Sequence, residues 1–191
     1  MSDQPLTDAE REGVRKLVLH YDKSGNGTLE YDEFMHFLKA LPNVNLEDFT
    51  PDDIKETDLE DLTADQVRIY FDGMDMDGTH SVNANEICDF INSRRAKDFK
   101  WQTKMIFRAA DKDKSRKVSF DELAACLKAL QGMEMTKEDF QNRCKVELGK
   151  SKKELEYWEF YKIISGQELD HTTDPYDGKI EEKKSSCCLL I

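Results

Sequence analysis

The segment DKSGNGTLEYDE, residues 22–33, recurs in two altered copies, DMDGTHSVNANE at 75–86 and DKDKSRKVSFDE at 111–122. Each copy is twelve residues long, begins with Asp and ends with Glu. Side chains that carry oxygen stand at the first, third and fifth positions, and an aliphatic residue stands at the eighth. Such a loop gathers hard oxygen donors around one point, so each copy is a candidate site for a hard cation.

Apolar residues with helical spacing flank all three segments. Those before the loops are Val14, Leu17, Val18 and Tyr21, then Val67, Tyr70, Phe71 and Met74, then Ile106, Phe107 and Ala110. Those after the loops are Phe34, Phe37, Leu38 and Leu41, then Ile87, Phe90 and Ile91, then Leu123, Cys126, Leu127 and Leu130. Two entering helices begin with capping boxes, Thr7 with Glu10 and Thr63 with Gln66. The pattern predicts a repeated helix–loop–helix unit.

The three segments with their flanks resemble EF-hands, the calcium-binding units of the calmodulin superfamily. The resemblance implies six calcium ligands in each loop, with a backbone carbonyl at the seventh position and a bidentate Glu at the twelfth. In the first loop the implied ligands are Asp22, Ser24, Asn26, Thr28, Glu30 and Glu33. In the second they are Asp75, Asp77, Thr79, Ser81, Asn83 and Glu86. In the third they are Asp111, Asp113, Ser115, Lys117, Ser119 and Glu122.

A fourth copy, LGKSKKELEYWE at 148–159, keeps the final Glu and the apolar pattern but not the ligands. Leu148, Lys150 and Lys152 occupy the positions where oxygens are needed. We therefore expect up to three calcium ions and an empty fourth loop. EF-hands pack in pairs through a short strand contact at the eighth positions. This predicts contacts of Leu29 with Val82 and of Val118 with Leu155.

The expected fold is all-α, with four EF-hand units in two paired lobes, short β contacts between loops and a flexible C-terminal tail. The N-terminal lobe covers 1–94, the C-terminal lobe 95–165 and the tail 166–191. An acidic insert at 43–61, with eight acids and one lysine, lengthens the first lobe. It is a solvated linker, or a segment that contacts a basic partner or folds over the lobe, and Thr50-Pro51 favours a short helix within it.

The three loops differ in the features that set calcium affinity. The sixth position needs a sharp turn that favours glycine, and only the first loop has one, Gly27, whereas His80 and Arg116 stand there in the others. The first two loops each carry a net charge of -3, and the third is neutral because four basic residues offset its four acids. We expect the first loop to bind most tightly and the third most weakly.

The chain ends with CCLLI, residues 187–191, after a polar stretch. The last four residues resemble a CaaX prenylation box, which implies an isoprenoid on Cys188. The preceding residue, Cys187, is a candidate for palmitoylation as the second membrane signal. The alternative is an unmodified apolar C-terminus. With the lipid, the protein is expected at the cytoplasmic face of a membrane, and without it in the cytosol.

Composition and motifs argue against several other classes. A net charge of -12 disfavours nucleic-acid binding. The five cysteines lack disulfide or zinc-ligand spacing. The sequence has neither a signal peptide at its start nor a long apolar run. It also has no catalytic motif, so we expect a protein that is not an enzyme.

The function expected from the sequence is that of a membrane-tethered calcium sensor or adaptor. On binding calcium it would expose an apolar groove for an amphipathic helix of a target protein. Two alternatives stay open. One is a soluble calcium buffer, and the other is a regulatory subunit of an enzyme, as in calcineurin B-like proteins.

Overall fold

The computed structural model describes residues 4–41 and 62–176. This part of the chain is mostly helical, with two small antiparallel sheets. The helices are α1 (Asp8–Tyr21), α2 (Tyr31–Ala40), α3 (Ala64–Met74), α4 (Ala84–Arg95), α5 (Phe99–Ala110), α6 (Phe120–Gln131), α7 (Lys137–Leu148) and α8 (Tyr157–Ser165). The strands are β1 (Thr28–Leu29), β2 (Val82–Asn83), β3 (Lys117–Ser119) and β4 (Glu154–Glu156).

Helix starts follow the capping chemistry that the sequence predicts. The Glu10 N–H donates to the Thr7 hydroxyl, and the Thr7 N–H donates to the Glu10 carboxylate, which closes the capping box of α1. Thr63 and Gln66 close the same box at α3. Each box satisfies backbone N–H groups that the first helical turn leaves without a partner. Both predicted capping boxes are confirmed.

The two sheets join the loops in pairs. β1 is antiparallel to β2 with Leu29 opposite Val82, and β3 is antiparallel to β4 with Val118 opposite Leu155. These are the two contacts predicted from the eighth loop positions. All four side chains are fully buried, so each short strand pair also closes one end of an apolar core.

Buried apolar side chains form two clusters, one built mainly by α1 to α4 and the other mainly by α5 to α8. Edge-to-face aromatic pairs lie at the centre of each. Phe34 meets Phe71 with ring centroids 5.4 Å apart in the first cluster, and Phe107 meets Phe160 at 5.4 Å in the second. Each pair joins a helix that enters a loop to a helix that leaves the partner loop, so aromatic packing supports the strand contact.

The two clusters are in contact through α3 and α5, which pack closely along each other. Gly73 on α3 permits this approach, because a Cβ there would lie 2.5 Å from Met105 Cγ and 2.9 Å from the Met105 carbonyl oxygen. Ile69 of α3 belongs to the second cluster. The fully buried Arg108 of α5 donates from Nε to the Gly73 carbonyl at 2.7 Å. This contact brings the second and third loops next to each other.

Residues 166–176, here called the C-terminal strap, fold back onto the second half of the protein. Gly166 ends α8 in the left-handed conformation, and Tyr176 is only 1% exposed. The prediction of a flexible tether from Gly166 onward is therefore wrong for this segment. It has no apolar periodicity, but one buried aromatic ring and hydrogen bonds to distant residues fix its position.

Several predictions fall on parts of the chain outside the described residues. These are the acidic insert at 43–61 with its short helix, and the lipid sites Cys187 and Cys188. Within the ranges that the structure does describe, the helices are too short or too polar to cross a membrane.

Candidate metal centre

The second loop brings three carboxylates together in a largely buried position. One oxygen each of Asp75, Asp77 and Glu86 lies within 4.8 Å of the others. Asp75 and Glu86 are almost fully buried. Burial raises the pKa of Glu86 to about 7, and the charges of Asp77 and Asp75 add to the rise. Such a cluster is unfavourable alone and favourable around a cation, because a cation offsets both the repulsion and the loss of hydration.

The third loop forms a second cluster of the same kind. One oxygen each of Asp111, Asp113 and Glu122 lies within 4.8 Å of the others. The Ser115 hydroxyl lies 3.2 Å from Asp111 Oδ1 and 3.1 Å from the Lys117 carbonyl oxygen. Three of the six predicted ligands thus lie together, and the Ser115 hydroxyl links one of them, Asp111, to the Lys117 carbonyl.

The first loop differs because its third residue, Ser24, is neutral, whereas Asp77 and Asp113 stand at this position in the second and third loops. The fifth residue is neutral in all three loops. Asp22 accepts hydrogen bonds from the Gly25 and Gly27 N–H groups, each at 2.7 Å. The Gly27 N–H is the main cause of the lowered pKa of Asp22. Glu33 Oε1 accepts from the Ser24 N–H at 3.0 Å, so the last predicted ligand lies across the start of its own loop.

The sixth position of each of the first three loops turns with positive φ, as the sequence predicts. The values are 84° at Gly27, 62° at His80 and 64° at Arg116. In each loop the N–H of this residue donates to Oδ2 of the first Asp. Because left-handed conformation is disfavoured for residues with a Cβ, His80 and Arg116 cost on the order of 1 kcal/mol each. The turn is thus kept in two loops against a local preference.

The twelfth residue of every loop also caps the helix that follows. Glu33, Glu86 and Glu122 occupy the third position of α2, α4 and α6, and each accepts the N-cap N–H on Oε2 at 2.9 Å. Each Glu therefore holds the helix start through one oxygen. The carboxylate is thus linked to the start of the helix that follows the loop, here called the exit helix.

The predicted ninth-position ligands are drawn into the same caps. Asn83 Oδ1 accepts from the Glu86 N–H, and Ser119 Oγ accepts from the Glu122 N–H. At the fifth position, Asn26 Oδ1 accepts from the Thr28 N–H at 2.9 Å, and Thr79 Oγ1 lies 3.1 Å from Ser81 Oγ. These predicted ligand side chains thus form hydrogen bonds within their own loops or helix caps, which stabilise the backbone turn.

In the fourth loop a lysine side chain pairs with the final glutamate. Lys152, at the fifth position, places Nζ 2.5 Å from Oε1 of Glu159, which is 1% exposed. The ammonium is close to this oxygen but is not aligned with it as a hydrogen bond. The sequence predicted a loop without calcium ligands but not this ion pair. Lys152 occupies the place of a ligand and supplies the positive charge that a bound ion would supply.

Two further contacts near the second and third loops involve residues that the sequence did not single out. Lys114 Nζ of the third loop lies 3.8 Å from Asp75 Oδ2 of the second, and it is buried without a hydrogen-bond partner. Tyr176 of the C-terminal strap donates from its hydroxyl to Asp111 Oδ2 at 2.7 Å. A lone aromatic between turn-forming residues was the one signal for Tyr176. Nothing local predicts the reach of Lys114 into the neighbouring loop.

The donor set fits calcium. Both clusters consist of carboxylates, without the sulfur or imidazole ligands that zinc or copper prefer, and a hydroxyl and a carbonyl oxygen lie beside Asp111 in the third loop. The buried carboxylates of the second and third loops supply the negative charge that a divalent cation needs, and the acidic groups could hold such an ion.

Comparison with known proteins gives distant relatives whose names refer to calcium. The chain is 28% identical over 115 residues to calcium-dependent protein kinase 13 of Arabidopsis thaliana, a match that covers 60% of this chain and 19% of the kinase. It is 27% identical over 88 residues to a 23 kDa calcium-binding protein of Tetrahymena thermophila, covering 46% of this chain and 37% of that protein. The chain thus spans well under half the length of these curated relatives.

No protein-family model matches the sequence. Among solved structures, a redox protein from Chlamydomonas reinhardtii aligns with 87% of this chain and 52% of its own, at 17% identity and a TM-score of 0.33. A likeness of this size carries no functional argument.

Proposed function

We propose that this protein is an EF-hand calcium sensor or adaptor. The observation that carries the proposal is the pair of three-carboxylate clusters, Asp75, Asp77 and Glu86 and then Asp111, Asp113 and Glu122. Each cluster stands in a twelve-residue loop between two helices, and its final Glu also caps the exit helix. The calcium-related names of the relatives support the same assignment.

The proposed architecture has four EF-hands in two pairs, the first with the second and the third with the fourth. The strand registers of Leu29 with Val82 and Val118 with Leu155 support this pairing. The first three loops are proposed to bind one calcium ion each. The fourth stays free of calcium, because Lys152 already neutralises Glu159 and its loop lacks the other oxygen donors.

The geometry suggests how ion binding changes the protein. Calcium supplies a charge that draws the first Asp and the twelfth Glu of a loop together. Glu86 and Glu122 sit at the starts of α4 and α6, so their movement turns those helices relative to α3 and α5. A change in the angle between two helices of an EF-hand exposes apolar surface in sensor proteins. The proposed partner is an amphipathic helix of a target protein.

Calcium titration of the full chain tests the binding step, with Mg²⁺ present to saturate weak sites. Substitution of Glu33, Glu86 or Glu122 by Gln is expected to remove one ion each. The substitution Glu159→Gln is the matched control, because it changes the same residue type in the loop that Lys152 occupies. If none of the first three substitutions alters the titration, the loops are not the calcium sites.

The buffer alternative makes a different prediction for exposed surface. A sensor opens on binding calcium, so binding of the hydrophobic dye ANS increases, whereas a buffer leaves the dye signal unchanged. The subunit alternative predicts a partner that co-purifies in stoichiometric amount even with a calcium chelator present. Neither alternative, nor the sensor, gives the protein catalytic activity or nucleic-acid binding in this proposal.

Attachment to the cytoplasmic face of a membrane is the remaining part of the proposal. It depends on lipids at Cys188 and Cys187, which lie beyond the described residues. The intact mass of the protein from its own cells tests it directly. A mass that includes an isoprenoid at Cys188 supports attachment, and an unmodified Ile191 contradicts it.

A further inference from the structure

The C-terminal strap, residues 166–176, crosses the second half of the protein and ends at the third loop. His171 stacks on Trp158 with ring centroids 3.9 Å apart and planes within 15°. Further along, Asp174 pairs with Arg116 of the third loop at 3.0 Å. The Pro175 carbonyl accepts from Arg108, a buried residue of α5, at 2.7 Å. Successive contacts thus guide the strap toward the loop.

Tyr176 is the point where the strap reaches the proposed third calcium site. It is 1% exposed, and its hydroxyl donates to Asp111 Oδ2 at 2.7 Å. Lys114 Nζ and Arg116 Cζ lie 5.3 Å and 5.9 Å from the ring centre. The ring is therefore surrounded by groups of the third loop, and the hydroxyl contacts its first ligand.

The oxygen that Tyr176 contacts determines the direction of its effect. In all three loops Oδ2 of the first Asp accepts the N–H of the sixth residue. Asp111 Oδ1 instead faces the Ser115 hydroxyl, which also contacts the Lys117 carbonyl, so Oδ1 lies on the side where the ligands converge. Tyr176 therefore contacts Asp111 on the oxygen that faces away from the other predicted ligands, and it does not lie between them.

We infer that Tyr176 is a positioning residue for calcium in the third loop, and that calcium there holds the C-terminal strap in place. The inference rests on the proposed calcium binding of this loop. Hydrogen-bond partners behind a metal ligand orient it, and their loss costs about 10–100-fold in metal affinity. Because coupling between two binding events is reciprocal, an ion that binds better with the strap in place also stabilises the strap in place.

The consequence is that calcium binding in the third loop and the placement of the C-terminal strap, residues 166–176, favour each other. The first loop offers an internal comparison, because Asp22 accepts its hydrogen bonds from Ser24, Gly25, Asn26 and Gly27 of its own loop. In the second loop Lys114 lies near Asp75, and within the described residues the strap forms no hydrogen bond with that carboxylate. The hydrogen bond of Tyr176 goes to Asp111 of the third loop, so we expect its main effect on that loop.

The first test compares calcium titrations of the full chain and its Tyr176→Phe variant, measured by competition with a chelator. The substitution removes the hydroxyl and keeps the ring. We expect Tyr176→Phe to bind one ion about tenfold or more weakly, namely the ion that the Glu122→Gln variant lacks. The affinities for the other two ions should be unchanged. The control is Tyr157→Phe, because this hydroxyl lies in the same lobe and contacts Thr103 and the Lys100 carbonyl.

The reciprocal test measures hydrogen–deuterium exchange of peptides covering 166–176. Calcium is expected to slow this exchange in the unaltered chain and in Glu33→Gln, but not in Glu122→Gln or Tyr176→Phe. A purely structural role of Tyr176 would speed exchange equally with and without calcium.

The outcomes separate this inference from the proposed function. If the unaltered chain binds no ion that Glu122→Gln loses, the proposed function fails for the third loop and the inference fails with it. If the ion binds and Tyr176→Phe binds it equally well, only the inference fails. Tighter binding by Tyr176→Phe would also overturn it, because that result would mean that the hydroxyl competes with the ion.

Discussion

Lys152 Nζ lies 2.5 Å from Glu159 Oε1, in the one loop of the four that the sequence predicts to bind no calcium. The other three loops also end with a glutamate, but none of them has a lysine at the fifth position. An internal ammonium thus stands where a divalent ion is proposed in the other loops. This explains why a loop without calcium ligands keeps the shape that its partner strand β3 needs.

Removing this ammonium should destabilise the protein. In Lys152→Met the buried Glu159 carboxylate loses its counter-charge. We expect a loss of about 2 kcal/mol, less than for a fully buried pair, because Lys152 is partly exposed. Urea denaturation in a calcium chelator measures it, with the exposed neighbour change Lys153→Met as control. Adding Glu159→Gln should recover most of the loss. If it recovers none, the two residues are not coupled.

Lys114 should weaken calcium binding at the second loop. Its ammonium lies 3.8 Å from Asp75 Oδ2 and repels a cation bound there. In Lys114→Met we expect the affinity of the second loop to rise about tenfold, as measured by calcium titration. Lys112→Met removes an exposed charge from the same loop and should change the second loop little. A rise of equal size in both variants would assign the effect to overall charge instead.

The stability of the calcium-free protein should depend on the protonation of Glu86. Burial raises the pKa of this group from 4.5 to about 7, so between these pH values the folded protein keeps a proton that the unfolded chain releases. Stability therefore falls as pH rises from about 4.5 to about 7, by about 3 kcal/mol from this group.

Urea denaturation at several pH values in a calcium chelator measures this dependence. Glu86→Gln should be less sensitive to pH in the same range, since an amide does not titrate. Equal pH dependence of the two proteins would contradict the raised pKa. The same raised pKa makes calcium compete with a proton, so the affinity of the second loop should fall as pH drops below about 7.

The contact between α3 and α5 should depend on the absence of a side chain at Gly73. In Gly73→Ala the new Cβ meets Met105 Cγ at 2.5 Å and the Met105 carbonyl at 2.9 Å, and the helices must separate. We expect a loss of about 2 kcal/mol, typical of overpacking. Thermal unfolding measures it. The double variant with Met105→Ala should remain destabilised, because the carbonyl clash persists, and full recovery would show that the helices do not approach so closely.

Local patterns in the sequence predicted much of this fold. The twelve-residue loops, the capping boxes of Thr7 and Thr63, and the strand partners of Leu29 and Val118 follow from positions within one repeat. The positive φ at His80 and Arg116 follows from the same register, even though neither is glycine.

The contacts between repeats could not be predicted from local sequence patterns. The approach of Gly73 to Met105 and the contact of Tyr176 with Asp111 join residues far apart in the chain and depend on how whole helices pack. The strap lacked any periodic signal, so its polar composition favoured a tether. The buried ring of Tyr176, together with the contacts of His171, Asp174 and Pro175 to distant residues, holds the strap against that composition.

The most direct test of the central claim is the number of calcium ions that the full chain binds. We predict three, each lost by one of the substitutions Glu33→Gln, Glu86→Gln and Glu122→Gln, while Glu159→Gln still binds all three. The affinities should decrease from the first loop to the third. A chain that binds no calcium, or that loses an ion with Glu159→Gln, would contradict the account.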